Sequence, residues 1–315
     1  MEPIAQLSRQ MEFEPDGVQE TECRPVVRGR AVDVPITEVQ MPGGKRMKVL
    51  KTLLTSACER NCYYCPFRAG RDYRRATLKP EEMASVFMQM SDAGAVEGLF
   101  LSSGIAGGGV TTQDKIIDTA EILRRKYHYQ GYIHLKIMPG ADRDQVLQSM
   151  RLADRLSVNL EAPNTERLQK LAPKKQFTEE LVEPLKWIDE IRRSESPAQA
   201  WKRRWPSSTT QFVVGAVGET DLELLATSEY LYRDVRLQRA YYSAFSPVKD
   251  TPLENLPPED PLRQHRLYQS SFLLRDYGFS MEDMPFRPDG NLPLDTDPKL
   301  AWAQSHLSHT PSPSS

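Results

Sequence analysis

Short apolar runs rich in β-branched residues alternate, from Lys48 onward, with longer amphipathic stretches of helical period. This alternation is typical of repeated β-α units built around a parallel sheet. Six such units can be traced along the chain. The predicted strands are Val49 to Thr55, Gly98 to Ser102, Gly131 to Ile137, Leu156 to Leu160, Gln211 to Gly215 and Leu237 to Ala244.

A stretch with helical signals follows each predicted strand. The first of them opens with Pro80 and carries Glu81 and Glu82 in its first turn, where proline and acidic side chains favour a helix N-terminus. The predicted helices are Pro80 to Ala93, Thr112 to Tyr127, Asp142 to Ala153, Phe177 to Arg193, Glu219 to Tyr232 and Arg263 to Tyr277.

The number of units decides the architecture. A closed eight-unit barrel typically needs about 250 residues, and only about 230 lie between Lys48 and Tyr277. We therefore predict the α/β class and an open, partial (β/α)6 barrel of the TIM type. In such a fold, functional residues gather at the C-terminal ends of the strands.

The two ends of the chain lack this pattern. Residues 1–45 carry no sustained period and close on Pro42-Gly43-Gly44, which predicts an irregular lead-in. Residues 46–280 form the predicted barrel. Prolines and serines are frequent after Met284, which predicts a C-terminal strap over 281–303 and a disordered tail over 304–315.

Composition places the chain among globular proteins. Its residues are 39% hydrophobic and 27% charged, which excludes a collagen-like, coiled-coil or wholly disordered chain. The net charge of −2 provides no global positive field for nucleic acid, so any such contact must be a local patch. An acidic N-terminus and the lack of a long apolar run predict a cytoplasmic protein without a membrane span.

Three of the four cysteines are crowded into one loop. Cys58, Cys62 and Cys65 follow the first predicted strand at spacings of four and three residues. Thiolates are the ligands of iron–sulfur clusters, and a cubane takes four of them. Three cysteines would leave one iron open to a reactant, so they are the predicted metal ligands and the predicted catalytic centre.

Other uses of these residues remain open from the spacing alone. One alternative is a zinc-stabilised nucleic-acid-binding module in which Cys23 supplies the fourth ligand. Another is an electron-transfer cluster, which would need a fourth cysteine nearby. The glycines at 104, 107, 108 and 109 do not have the spacing of a dinucleotide-binding loop.

The motif Cys-x3-Cys-x2-Cys, with Tyr64 before its last cysteine, resembles that of the radical S-adenosylmethionine (SAM) superfamily. The resemblance implies a [4Fe-4S] cluster and SAM as cofactors. It also implies that the reduced cluster cleaves SAM to a 5′-deoxyadenosyl radical, which removes hydrogen from a substrate. An external one-electron reductant of the flavodoxin or ferredoxin type is then required.

The resemblance extends to the predicted SAM site. Ser103 and Gly104 would offer backbone oxygens to the methionine amino group, and Tyr64 would lie near the adenine. The fourth strand would direct polar groups to the ribose and carboxylate, and a glycine turn after the fifth would lie beside the adenine. The residues implied on these two strands are Ser157, Asn159, Glu161, Gly215 and Gly218.

A narrower likeness concerns the substrate. Segments such as Gly98 to Gly104 and Asp297 to Ala303 look like radical SAM proteins assigned to DNA modification or repair and linked to uracil-DNA glycosylase-like partners. Those proteins commonly continue into a helix-hairpin-helix segment, whereas this chain stops in Thr310 to Ser315. A nucleic-acid substrate therefore competes with a small molecule or a peptide. The candidate substrate residues are Arg68, Arg71, His134 and Lys136.

Overall fold

A computed structural model of the chain describes residues 2–13, 20–23, 26–27, 30–31, 34–40, 44 and 46–307. Its main sheet has eight strands in the order β1-β4-β5-β6-β7-β8-β9-β10, and β2 pairs with β3 separately. The strands are β1 Glu20–Cys23, β2 Val26–Val27, β3 Arg30–Ala31, β4 Val34–Gln40, β5 Arg46–Leu53, β6 Gly98–Ser102, β7 Tyr132–Lys136, β8 Arg155–Ser157, β9 Ser207–Val214 and β10 Arg239–Ala244.

Strands β5 to β10 are parallel and neighbour one another in chain order. They correspond one for one to the six predicted strands, and the predicted partial barrel is confirmed. Because parallel strands all point the same way, their C-terminal ends meet at one edge of the sheet. Any residue that follows one of these strands is thereby brought to a common site.

Helices pack on the outside of this sheet. Leu99 and Leu101 of β6 are fully buried on that side, together with Phe87 and Ile116 from two helices. The helices are α1 Glu2–Arg9, α2 Pro80–Asp92, α3 Gly109–Glu121, α4 Arg143–Leu152, α5 Thr165–Leu171, α6 Glu183–Ser194, α7 Asp221–Asp234, α8 Pro261–Asp276 and α9 Pro298–Leu307.

Local sequence signals explain where several helices begin. The Asp142 carboxylate accepts the Gln145 N–H at 2.9 Å and caps α4. Thr220 caps α7 by accepting the Glu223 N–H at 3.2 Å. Pro80 opens α2 as predicted, and the predicted helical period over 112–127 is divided between α3 and a π-helical turn, Ile122–Lys126.

The prediction of an irregular lead-in was wrong for α1 and for strands β1 to β4, all of which lie within residues 1–45. Glu2–Arg9 forms α1, which packs against β4 and β5. Val34–Gln40 forms β4, which pairs antiparallel with β5 and extends the sheet on that side. Ile4 and Leu7 are fully buried, so burial against the sheet stabilises a helix whose pattern is too short to be recognised by itself.

The predicted C-terminal strap and tail also differ from the structure. Pro298–Leu307 is helical, so α9 crosses the predicted boundary at 303 and includes four residues assigned to the tail. Trp302 holds the helix by packing against Phe279 at 5.1 Å between ring centroids and by donating to Asp283 at 3.3 Å. The rest of the predicted tail, 308–315, lies outside the described residues.

Candidate active site

A cavity of about 450 Å³ lies at the C-terminal ends of the parallel strands. Cys58, Cys62 and Cys65 all line it. Each of the six parallel strands also supplies wall residues, either from the C-terminal part of the strand or from the loop that follows it. These are Leu53 at the end of β5, Ser102 and Ser103 at β6, Lys136 at β7, Asn159 and Glu161 after β8, Val213 at β9 and Ser243 at β10.

The cysteine loop is fixed by backbone hydrogen bonds. Glu59 N–H donates to the Ile105 carbonyl and Tyr63 N–H to the Leu171 carbonyl, both at 2.8 Å. Two of the thiols accept backbone donors: Cys58 Sγ from Ile105 N–H at 3.5 Å and Cys65 Sγ from Phe67 N–H at 3.4 Å. The three thiols are free, and all three line the cavity.

Two arginines brace the same loop. Arg75 donates to the carbonyls of Ser56 at 2.7 Å and Phe67 at 2.8 Å, on either side of the cysteines. Arg60, between the first two cysteines, forms an ion pair with Glu180 at 2.6 Å. Charge-assisted bonds of this kind are strong and directional, so the loop is anchored from both ends.

A buried ion pair lies next to the thiols. Lys175 Nζ is 2.9 Å from Glu161 Oε1, and the two residues are 8% and 4% exposed. Burial raises the pKa of the Cys62 thiol, and the nearby positive charge of Lys175 acts in the opposite direction. Lys175 therefore favours the thiolate form that binds metal.

Glu161 adopts a backbone conformation that is rare for its residue type. Its φ is +66°, and it is the buried one among the six described non-glycine residues with positive φ. Such a conformation costs of order 1–3 kcal/mol and persists where the surroundings enforce it. Here Glu161 N–H donates to Gln211 and its carbonyl accepts from Val213, which fixes it to β9.

The predicted residues after β6 lie against the cysteine loop. Ser103 and Gly104 both line the cavity, and Ser103 Oγ donates to the Gly104 carbonyl at 2.7 Å. A Cβ placed on Gly104 would lie 2.3 Å from the Ala57 carbonyl oxygen. Glycine is therefore required here by the close approach of the loop backbone.

Ser157, Asn159 and Glu161 project into the interior of the barrel, as the alternation predicts. Val158 N–H donates to Thr209 at 3.0 Å, so this segment continues along β9 beyond the end of β8. Asn159 and Glu161 line the main cavity, and Ser157 lines a smaller chamber beside it. Their assignment to the ribose and carboxylate of SAM stays a prediction.

Gly215 and Gly218 form the predicted turn after β9. Their φ values are +91° and +72°, which glycine adopts without strain. The buried Glu219 carboxylate accepts the N–H groups of Gly215 and Val217 and holds the turn closed. Neither glycine is among the residues that line the cavity, and their place beside an adenine stays a prediction.

The candidate substrate residues divide into two groups. Lys136 lines the cavity, and His134 lies one layer deeper, stacked on Phe100 with 4.2 Å between ring centroids. Arg71 instead donates to the carbonyls of Pro66 and Lys249, and Arg68 packs over the Tyr63 ring. The structure thus brings the pair from β7 to the site and leaves both arginines outside its wall.

The wall residues that sequence reasoning missed include Lys175, Gln10 and Met11. Gln10 and Met11 follow α1, and Gln10 Oε1 is buried with no hydrogen-bond partner among the described residues. Lys175 comes from the loop after α5. No local pattern marks these residues, since each reaches the cavity only through long-range packing.

The donor set fits a cubane held by three thiolates. All three cysteines face one cavity next to a buried lysine, and each thiolate of a cubane binds a separate iron. A single metal ion would instead need all of its ligands close to one point. Within the described ranges, no group of three His, Cys, Asp or Glu side chains is arranged to hold such an ion.

The family model of the radical SAM superfamily matches residues 52–231, more than half of the chain. The chain therefore belongs to this superfamily, and it spans about half the length of the relatives it matches. Members of the superfamily use a [4Fe-4S] cluster and S-adenosylmethionine, and they need an external reductant.

Individual relatives are distant. Over 229 residues the chain is 23% identical to tRNA-2-methylthio-N(6)-dimethylallyladenosine synthase of Bacillus subtilis (strain 168), covering 70% of this chain and 42% of that enzyme. Methylornithine synthase aligns with a TM-score of 0.54 at 18% identity, covering 74% and 64% of the two chains. The FeFe-hydrogenase maturase HydG of Carboxydothermus hydrogenoformans aligns with a TM-score of 0.53 at 16% identity, covering 72% and 51%. These structural likenesses support the fold alone.

No helix in the described part of the chain is long and apolar enough to cross a membrane.

Proposed function

We propose that Cys58, Cys62 and Cys65 hold a [4Fe-4S] cluster whose fourth iron is left to SAM, and that this chain uses the resulting radical on a substrate bound in the same cavity. The observation that carries the proposal is the convergence of the three thiols with the ends of all six parallel strands on one cavity. When bound and reduced, the cluster supplies one electron that cleaves SAM to methionine and a 5′-deoxyadenosyl radical.

The polypeptide would bind, orient and shield these groups. Backbone N–H groups of Ile105 and Phe67 point at two sulfurs and would stabilise their negative charge. Lys175 would offset the charge of the cluster, and Ser103 and Gly104 would present carbonyl oxygens to the SAM amino group. The apolar wall residues Met11, Leu53 and Phe67 would keep water from the radical.

Anaerobic reconstitution tests the cofactor assignment. We expect about four iron and four sulfide per chain, and 5′-deoxyadenosine when SAM and dithionite are added. Cys62→Ser should lose the cluster and the cleavage together. Cys23 lies outside the motif in the sequence and gives the matched control, because Cys23→Ser should leave both unchanged. SAM cleavage at the wild-type rate in Cys62→Ser would refute the ligand assignment.

The finer proposal is that the substrate is a nucleic acid. Two likenesses support it. One is the resemblance to radical SAM proteins assigned to DNA modification or repair, and the other is the match to tRNA-2-methylthio-N(6)-dimethylallyladenosine synthase, whose name specifies a tRNA nucleoside. A uracil-DNA glycosylase-like protein and a flavodoxin- or ferredoxin-like reductant are the partners this function would require. The proposal includes a cytoplasmic location, where thiols and clusters stay reduced.

Substrate-dependent SAM cleavage tests the substrate class. Unmodified tRNA, single-stranded DNA and a tryptic peptide digest would each be added to the reconstituted enzyme, with 5′-deoxyadenosine as the readout. Stimulation by either nucleic acid, weakening as salt rises, would support the proposal because phosphate contacts are screened by salt. Stimulation by the peptides alone, independent of salt, would contradict it.

A further inference from the structure

The segment that holds the cysteines is basic, and the proposed function does not account for Arg68 and Arg71. Residues 58–75 contain five arginines and two acidic residues, a net charge of +3 in a chain whose net charge is −2. Arg68 and Arg71, which the sequence predicted as substrate residues, do not line the cavity. A charge outside the cavity wall acts on molecules that approach the loop from the solvent.

Two of these arginines are fixed next to a predicted cluster ligand. Arg71 donates to the Pro66 carbonyl at 2.9 Å, and Arg75 donates to the Phe67 carbonyl at 2.8 Å. The Phe67 N–H in turn donates to Cys65 Sγ at 3.4 Å. Both guanidinium groups therefore bind the backbone that directly follows Cys65.

The charge of three arginines in this segment is not balanced by ion pairs. Arg60 and Arg74 each pair with a carboxylate. Among the described residues, however, no carboxylate lies within ion-pair distance of Arg68, Arg71 or Arg75. The bonds of Arg71 and Arg75 go to neutral carbonyl groups, which hold the guanidinium groups in place without cancelling their charge.

The positive charge extends to the surface beside the loop. Arg68 and Arg71 are partly exposed, and Arg71 Nε donates to the carbonyl of the exposed Lys249 at 3.0 Å. The exposed carboxylates next to these residues in the sequence are Asp72 and Asp250. The basic patch is formed by Arg68, Arg71, Arg75 and Lys249. Its four cations outnumber the two carboxylates, so it presents a net positive charge.

The position of the basic patch distinguishes between two kinds of anionic partner. A nucleic-acid substrate must enter the cavity to meet the radical, whereas an electron donor needs only a short path to the cluster through the protein. The patch does not line the cavity, but it adjoins Cys65 through the backbone of Phe67. This arrangement favours the electron donor.

We infer that the basic patch docks the external one-electron reductant, a flavodoxin- or ferredoxin-like protein with an acidic surface. The donor is oxidised by one electron, the cluster is reduced by that electron, and no atoms are exchanged. The inference rests on the proposed function, since a reductant is needed only if the three cysteines hold the cluster. Arg68, Arg71 and Lys249 would contact the partner, and Arg75 would position the loop.

Equilibrium binding and cluster reduction test the inference. An acidic flavodoxin is the probe, and its Kd for the reconstituted enzyme is measured under anaerobic conditions by biolayer interferometry. We expect saturable binding that weakens as salt rises, because exposed charges are screened. The rate at which flavodoxin hydroquinone reduces the cluster, followed by the loss of cluster absorbance, should fall with salt in parallel.

Charge reversal locates the docking surface. Arg68→Glu and Lys249→Glu should each raise the Kd for flavodoxin at least about tenfold, because a carboxylate would then face an acidic partner. Lys249 contacts the loop through its carbonyl, so Lys249→Glu guards against a loop defect in Arg68→Glu. Both variants should cleave SAM at the wild-type rate with dithionite, a small reductant that needs no docking surface.

Arg125 gives the matched control. Its side chain is 77% exposed, and it precedes β7, so it lies at the opposite end of the sheet from the cysteine loop. Arg125→Glu changes the net charge by the same amount as the two test variants. It should bind flavodoxin with the Kd of the wild type.

Three results would overturn the inference while leaving the proposed function intact. The first is a wild-type enzyme that cleaves SAM with dithionite but does not bind flavodoxin, and the second is a wild-type Kd in both Arg68→Glu and Lys249→Glu. The third is a flavodoxin Kd that Arg125→Glu raises as much as they do. If both test variants instead lost only the stimulation of dithionite-supported SAM cleavage by tRNA or single-stranded DNA, the patch would belong to a nucleic acid, which also overturns the inference. A reconstituted enzyme that cleaves no SAM with dithionite would contradict the proposed function.

Discussion

Lys175 and Glu161 form a buried ion pair that joins the loop after α5 to the segment after β8, next to the three thiols. Lys175 Nζ and Glu161 Oε1 are 2.9 Å apart inside the cavity wall. Burial raises the pKa of the Cys62 thiol, and the positive charge of Lys175 offsets part of that rise. Burying two charges is costly, so such a pair is weak evidence for stability taken as a whole. Removing one partner alone is a different case, because the other charge is left buried and unpaired.

We therefore expect Lys175→Met to lower the free energy of unfolding by about 3–5 kcal/mol. The double variant Lys175→Met/Glu161→Gln should lose less than the sum of the two single variants, since no isolated charge remains. Urea unfolding of the cluster-free protein measures all three changes.

The exposed pair Lys170–Glu166 provides the control. Its atoms are also close, at 2.7 Å, but the side chains are 52% and 71% exposed. Lys170→Met should change the free energy of unfolding by no more than about 1 kcal/mol. Equal effects of Lys175→Met and Lys170→Met would show that Lys175 is not held as a buried charge.

At the scale of elements, α1 and the turn that follows it supply a part of the cavity wall that the sheet does not provide. The helix packs on β4 and β5, and the turn after it places Gln10 and Met11 in the cavity. The side chains of Gln6 and Gln10 both donate to the carbonyl of Arg74, in the loop that follows the cysteines. The N-terminal segment thus connects β4 and β5 to the loop that follows the cysteines.

The burial of Leu7 tests this role of α1. Leu7→Ala should cost about 2–5 kcal/mol, the usual range for a buried leucine, and should loosen the wall formed by Gln10 and Met11. Urea unfolding measures the cost, and the rate at which air bleaches the reconstituted cluster measures the loosening.

The same substitution at an exposed leucine separates the two effects. Leu222 on α7 is 44% exposed, so Leu222→Ala should stay within about 0.5 kcal/mol of the wild type. Its cluster should bleach at the wild-type rate. If Leu7→Ala bleached no faster than Leu222→Ala, α1 would not shield the cavity.

The elements that the sequence predicts are those with local signals. The six parallel strands lie in short β-rich runs, and helices such as α2 and α7 begin at proline or capping residues that act within one turn. Helix α1 and strand β4 were missed because one is eight residues long and the other contains Pro35. Both are stabilised by contacts with β5, which no local period reveals.

The same contrast applies to the site. Cys58, Cys62 and Cys65 could be predicted because their chemistry is encoded within eight consecutive residues. The inward positions of Asn159 and Glu161 in the cavity wall, and of Ser157 in the chamber beside it, followed from strand alternation alone. Lys175 could not be predicted, because it reaches Glu161 only when the loop after α5 folds back over β8. The two arginines predicted to contact substrate show the opposite case, since Arg71 donates to the carbonyls of Pro66 and Lys249 and Arg68 packs over the Tyr63 ring.

At the scale of the whole molecule, residues at or after all six parallel strands meet in the wall of one cavity. Strands β5 to β10 each contribute to its wall, and β5 and β10 are joined by no strand pairing in the described sheet. A ligand that contacts several strand ends therefore adds interactions that the free protein lacks. Binding to the native state alone stabilises it by mass action.

Thermal unfolding under anaerobic conditions should therefore depend on SAM. At a SAM concentration of 100 times its Kd, the reconstituted wild type should gain about 2.7 kcal/mol and unfold at a higher temperature. Methionine at the same concentration should raise the unfolding temperature less, since methionine lacks the adenosine that would contact the residues after β8 and β9. Cys62→Ser, which should lack the cluster, should gain far less from SAM, because the amino and carboxylate groups would lose the iron that chelates them. An equal gain in Cys62→Ser would show that SAM binds away from the three cysteines.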